Sequence, residues 1–146
     1  MPALKVFVSR IIPSIGIELL KQNGYAVTSW DKDRPMTQEE LISACKQTDI
    51  LLSLGENKID PHFLHECNHL KMISQFAVGY DNINIPEATR RKIPVGNTPG
   101  VLSDATADIA FGLMIAVSRK FFFNHLKIMN GGWGAFMPTA HLGQEL

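Results

Sequence analysis

The chain has 146 residues, 45% of them hydrophobic, enough to bury the core of one ordinary domain and too apolar for a disordered segment. Lys plus Arg (14) equals Asp plus Glu (14), and a surface of zero net charge is poor bait for nucleic acid, whose binding is dominated by phosphate neutralisation. Cys45 and Cys67 are too few for a disulfide framework, MPALKVFVSR lacks the apolar run of a signal peptide, and Ile109 to Val117 falls far short of the roughly 20 residues of a membrane span, so the expectation is a soluble cytoplasmic protein.

In chain order, LKVFVS (4–9) predicts a short strand. SIGIELLKQNG follows with apolar residues at helical spacing (Ile15, Leu19, Leu20) and Gly24 as its stop. YAVTSW (25–30) reads as a second strand. TQEELISACKQ reads as a second helix, opened by a capping box in which the Thr37 hydroxyl and the Glu40 carboxylate satisfy orphan amides. The unbroken apolar run of DILLSL (49–54) predicts a third strand buried on both faces. Asp60 and Pro61 start a short helix ending near Cys67, LKMISQF (70–76) is a fourth strand, Asn84 and Pro86 open a helix through about Arg91, and IPVGN (93–97) is a brief fifth strand. This alternation implies an α/β fold, a parallel five-stranded sheet with helices on both faces, over residues 1–100. Ligands of such sheets bind at the carboxyl ends of the strands, which singles out the loops SLGENK, FAVGYDN and GNTPGV.

From Ser103 the texture changes. SDATADIAFGLMIAVSRKFFFNHLKIMN reads as one long helix with room for a break, N-capped by Ser103 or Asp104, with Asp108 near the positive end of its dipole. Its middle is apolar all round, so more than one neighbour must cover it. GGWGAFMPTAHLGQEL then reads as an extended arm.

One stretch, HECNH (65–69), fits the H-E-x-x-H zinc pattern. A zinc-protease helix must run through both histidines, and here an apolar strand begins directly after His69, with no third ligand at a recognisable spacing. His62, His65 and His69 are expected on the wet side of a short surface helix, and no metal site is assigned.

The segment Phe76 to Arg119 carries more. Val78 and Gly79 sit just past a strand end, where Gly79 permits close backbone approach or positive φ and exposed amides could cradle a carboxylate. Asp81 and Asn82 suit side-chain to backbone bonds that fix the loop, and Asn97 follows the fifth strand toward the same edge. The alternative for each is an ordinary turn residue.

AVGYDNINIPEATRRKIPVGNTPGVLSDATAD resembles the G-x-D-N-I-D and V-x-N-T-P-G-V stretches of the D-isomer-specific 2-hydroxyacid dehydrogenases, and NGGWGAFMPTAHLG is similar to their glyoxylate and hydroxypyruvate reductase branch. The resemblance runs from about Leu4 to Gly143; Asn84 stands where the family usually has Asp, and both residues cap helices. It implies a flavodoxin-like substrate domain (1–100), then an interdomain and dimerisation helix and arm (101–146) that begin the cofactor domain. By the same resemblance the amides of Val78 and Gly79 hold the substrate carboxylate, Leu54 and Gly55 line the substrate pocket, Asn97 faces the cleft and Thr106 lies near the nicotinamide. Phe111, Met114, Ile115, Phe122, Trp133 and Phe136 are then dimer-interface residues, which accounts for a helix apolar all round.

No G-x-G-x-x-G occurs in the sequence, and none of His62, His65, His69, His125 or His141 matches the family's catalytic histidine. The resemblance implies that the cofactor motif and the catalytic Arg, Glu and His lie beyond residue 146. The expectation is a portion of an NAD- or NADP-dependent enzyme for a small 2-oxo or 2-hydroxy acid, with no catalytic residue of its own, no cofactor bound to this chain alone, and activity only with the cofactor domain. The competing expectation is a non-catalytic dimeric module binding small carboxylates. The zinc-hydrolase alternative predicts stoichiometric zinc after purification, and a metal assay finding none removes it.

Overall fold

The computed structural model describes residues 2–140 and 142–145; His141, one of the histidines weighed above, lies outside the described residues. The chain divides into two units, Met1–Gly100 and Val101–Leu146. The first is built in the alternation the sequence predicts: β1 (Lys5–Val8), α1 (Ser14–Gln22), β2 (Ala26–Ser29), α2 (Gln38–Cys45), β3 (Ile50–Ser53), α3 (Pro61–Glu66), β4 (Met72–Gln75), α4 (Ile85–Arg90) and β5 (Val95–Gly96). The strands form one parallel sheet in the order β2-β1-β3-β4-β5, the doubly wound order whose direction reverses between β1 and β3.

Local chemistry accounts for most boundaries. Thr37 accepts from the Glu40 amide at 3.2 Å while Glu40 accepts from the Thr37 amide at 2.9 Å, the reciprocal capping box expected of TQEE. Asp60 accepts from the Phe63 amide and Asn84 from the Glu87 amide, each at 2.9 Å, so a proline-opened helix begins at each. Gly24 ends α1 at φ +83°, a conformation that favours a residue without Cβ.

The core lies between the sheet and α2, α3 and α4. Phe7, Leu51 and Ile73 meet Leu41, Phe63, Leu64, Ala88 and Ile93 there, all buried. Cys45 and Cys67 are also fully buried, free thiols; the neighbouring Cys67 thiol and burial hold Cys45 well above the ordinary thiol range, so it is not a ready nucleophile.

The structure corrects several expectations. The strand buried on both faces is β1, where Val6, Phe7 and Val8 are all buried; β3 alternates, with Leu51 and Ser53 buried and Ile50 and Leu52 half-buried. β3 is the middle strand of the sheet, so the difference lies in the cover on the face away from the core, complete over Val6 and Val8 and partial over their partners Ile50 and Leu52. In α1, Ile15 and Leu19 remain exposed, and the half-buried positions are Gly16, Ile17 and Leu20.

In the second unit the long helix is two helices, α5 (Ser103–Ser118) and α6 (Phe121–Met129). Lys120 breaks them apart at φ +55°, and the Ser118 hydroxyl bonds back to the Ile115 carbonyl at 3.1 Å, the local competition by which serine disfavours helix continuation. Neither Ser103 nor Asp104 caps α5; its N-cap is Leu102, without a side-chain bond. Residues 131–140 form neither helix nor strand, and the Gln144 amide bonds to the Ser118 carbonyl at 2.9 Å. No helix among the described residues is long and apolar enough to cross a membrane.

Two carboxylates tie this fold to pH. Arg34 and the Thr37 amide hold Glu40 at about 2, and Arg90 with Arg91 hold Glu87 at about 2. A depressed carboxyl pKa contributes stability above its unfolded value and loses it as pH falls toward the folded one. Thermal melts followed by circular dichroism are expected to show a falling midpoint from about pH 4.5 to about pH 2, with a shallower slope in Glu87→Gln; an unchanged slope in that variant counts against the assignment.

Candidate functional site

The apolar columns on the core face of the sheet end in polar residues. Register pairs Phe7 with Leu51, Leu51 with Ile73 and Ile73 with Val95. Two residues on, where side chains return to the same face, stand Ser9, Ser53, Gln75 and Asn97. They make one polar row along the carboxyl edge of four adjacent strands. Ser9, Ser53 and Gln75 are at most 1% exposed, so each needs a partner within the protein.

Those partners belong to the loops the sequence singled out. Ser53 Oγ donates to Gln75 Oε1 at 2.6 Å, and Gln75 Nε2 donates to Asn82 Oδ1 at 2.9 Å. Asn82 Nδ2 donates to the Asn57 carbonyl at 2.7 Å. Asn57 Oδ1 accepts from the Leu54 amide at 3.1 Å and from Ser9 Oγ. A parallel bridge between Ile59 and Ile83 zips the same two loops together beyond the sheet.

Val78 and Gly79 occupy the crest of the second loop. Asn97 Nδ2 donates to the Val78 carbonyl at 2.8 Å, and the Thr98 amide donates to the Ala77 carbonyl at 3.1 Å, so the crest is tied to the chain leaving β5. The Val78 and Gly79 amides donate to no acceptor among the described residues, and both residues are exposed. Two adjacent free amides on a clamped loop suit a carboxylate. The φ of Gly79 is not positive, so its value is open approach: a Cβ there would meet nothing closer than Asp81 Oδ2 at 3.8 Å. Asp81 forms none of the loop-fixing bonds expected of it; Asn82 forms them alone.

Leu54 and Gly55 face this loop from the end of β3, half-buried and exposed. Arg10, directly after Ser9, brings its Nη1 to 3.2 Å from Glu56 Oε1 at the same edge. A cavity of about 670 Å³ lies along β5 and α4 and shares only Tyr80 and Asn97 with these loops.

The sequence reading missed Ser9, Ser53, Asn57 and Gln75. Ser9, Ser53 and Gln75 share with Asn97 an apolar-x-polar strand ending, F-V-S, L-L-S, I-S-Q and V-G-N, meaningful only once register aligns it; Asn57, in the loop after β3, carries no such signal. The HECNH stretch does not make a zinc face, because α3 ends at Glu66 and His69 turns to the Cys45 carbonyl at 3.0 Å; no metal-binding cluster occurs among the described residues.

In the second unit Thr106 lies in the first turn of α5, exposed, its amide bonded to the Leu102 carbonyl at 2.9 Å. Phe111, Met114, Phe122, Trp133 and Phe136 are exposed and Ile115 is half-buried.

The doubly wound parallel sheet, with two unbonded amides on a clamped loop at its carboxyl edge, defines the class as a flavodoxin-like α/β domain. The chain belongs to the D-isomer specific 2-hydroxyacid dehydrogenases: that family's catalytic-domain model matches residues 6–136. It is 42% identical over 129 residues to a glyoxylate reductase of Thermococcus litoralis, covering 88% of this chain and 39% of that protein. It is 43% identical over 143 residues to a glyoxylate reductase of Thermofilum pendens, covering 97% of this chain and 42% of that one. In structure it is similar to the TT0316 protein of Thermus thermophilus, with a TM-score of 0.87 and 30% identity over 96% of this chain and 45% of that one. The chain thus spans less than half the length of these relatives.

Asn97→Ala removes the side-chain tether of the crest. Because that bond is exposed, a loss of at most about 1 kcal/mol is expected in urea unfolding, with faster amide exchange at Thr98. Unaltered exchange there shows that Asn97 does not hold the crest.

Proposed function

We propose that the chain is the substrate-binding portion of an NAD(P)-dependent 2-hydroxyacid dehydrogenase that reduces a small 2-oxo acid, glyoxylate or hydroxypyruvate, in the cytoplasm. The observation that carries this reading is the pair of free amides at Val78 and Gly79, on a loop fixed from below by Gln75 and Asn82 and from the side by Asn97. Amides that already point away from internal acceptors bind a carboxylate without breaking a bond in the free protein, which is how pre-organised donors gain affinity. Leu54 and Gly55 close the opposite wall and set the size of the substituent beside the keto group.

Residues 1–100 serve as the substrate domain. Residues 101–146 contribute the start of the cofactor domain and a homodimer interface through Phe111, Met114, Ile115, Phe122, Trp133 and Phe136, with Thr106 near the nicotinamide. The nicotinamide, when bound, supplies the hydride. The described residues build no glycine-rich strand-to-helix turn to seat its pyrophosphate. This chain's own part is to bind and orient the acid.

The test is a titration of the ¹⁵N-labelled chain with oxamate, an unreactive 2-oxo acid analogue. Shifts centred on Val78 and Gly79 are expected, and Gly79→Val, which meets no close neighbour, is expected to fold and to bind at least about tenfold more weakly. Binding unchanged by Gly79→Val counts against the cradle. NADH or NADPH consumption by this chain alone with glyoxylate is expected to be nil, and turnover would overturn the division of labour.

A further inference from the structure

We infer that Gln75 is the positioning residue of the carboxylate cradle, acting through a hydrogen-bond string of fixed polarity that runs from β1 to the Val78–Gly79 crest. This inference rests on the reading of those two amides as the cradle.

The polarity follows from groups that cannot change role. A backbone N–H only donates and a backbone carbonyl only accepts. The Leu54 amide therefore identifies the Asn57 atom 3.1 Å away as oxygen, and Ser9 must donate to that same oxygen. The Asn57 carbonyl identifies the Asn82 atom at 2.7 Å as nitrogen, which turns Asn82 Oδ1 toward Gln75. Gln75 must then present its NH₂ to Asn82, at 2.9 Å, and its oxygen to Ser53, at 2.6 Å. Flipping any amide sets donor against donor or acceptor against acceptor, so the string holds a single arrangement.

Gln75 is where this string meets the cradle. Its side chain is 1% exposed and lies at the last position of β4, directly before the loop. Its Nε2 also approaches the Gly79 carbonyl at 3.4 Å, a long contact, and lies 4.0 Å from where a Cβ on Gly55 would stand. One buried amide thus bonds into the β4 loop and lies beside Gly55 of the β3 loop. A Gln at this position fixes the Gly79–Tyr80 peptide unit and, through Asn82, the far end of the loop, and so sets where the crest stands without touching the substrate itself.

The discriminating variant is Gln75→Glu, which keeps the shape. Its neutral carboxyl can accept from Ser53 and donate its proton to Asn82 Oδ1; its ionised form has no proton to give and faces that oxygen directly. Burial raises the pKa of the introduced carboxyl above the ordinary value of about 4.3. Being raised, it leaves the string intact at low pH and breaks it as pH rises through that pKa.

The experiment is oxamate titration of the ¹⁵N-labelled chain at about pH 5 and about pH 8, for wild type, Gln75→Leu and Gln75→Glu. Wild type is expected to bind within about twofold at both values and Gln75→Leu at least about tenfold more weakly at both. Gln75→Glu is expected near wild type at the lower pH and about tenfold weaker at the higher one, with its spectrum still that of a folded protein. Equal, pH-independent binding by wild type and Gln75→Glu overturns the positioning role and leaves the cradle standing. A wild-type chain that shows no oxamate shift at Val78 and Gly79 removes the cradle itself, and the inference with it. Outright unfolding of Gln75→Glu at the higher pH assigns Gln75 to general core stability and overturns the inference as well.

Discussion

Four polar side chains at the ends of four parallel strands set the terms for everything above the sheet. Ser9, Ser53 and Gln75 have lost their water, and a buried amide or hydroxyl without a partner costs about 1–3 kcal/mol. Ser9 and Gln75 find partners on the loops that follow β3 and β4, and Ser53 bonds to Gln75, so satisfying the edge of the core and shaping the loops are the same event. The loops are consequently held by directional bonds, which constrain orientation more tightly than an apolar floor would. Amides at the crest are left over because the carbonyls beside them are already engaged: that of Val78 by Asn97 and that of Ala77 by Thr98.

This arrangement links the loops to the topology of the sheet. The doubly wound order places the reversal of the sheet between β1 and β3, where ligands of such folds gather. Here the polar string starts at that point, with Ser9 and Asn57, and ends at the β4 loop, with Gln75 and Asn82. The reversal supplies the anchor, and the free donors stand one strand further along. The family match covers most of this chain, while the relatives it resembles are more than twice as long.

The second unit follows a different logic. Ile109, Phe111, Leu113, Met114 and Val117 lie exposed around α5, and Phe121, Phe122 and Phe123 around α6. A helix with apolar residues on every side gains nothing from water, and such surfaces mark contact regions. The break at Lys120 carries neither glycine nor proline, and the Ser118 back-bond stands just before it.

The sequence by itself determined the features that depend on neighbours a few residues apart. The alternation of strand and helix, the Thr37–Glu40 box, the Asp60 and Asn84 caps and the stop at Gly24 are local bargains between side chain and backbone, and all are legible in order. Val78, Gly79 and Asn97 were singled out by their motif, but the hydrogen bonds around them were not legible there. Only the tertiary structure decided that β1 is the strand covered on both faces and that Asp81 leaves loop-fixing to Asn82. It also decided that Ser9, Ser53, Gln75 and Asn97 stand in one row. The reason is register: a parallel sheet joins residues more than twenty positions apart, and no local interaction records which of them will meet.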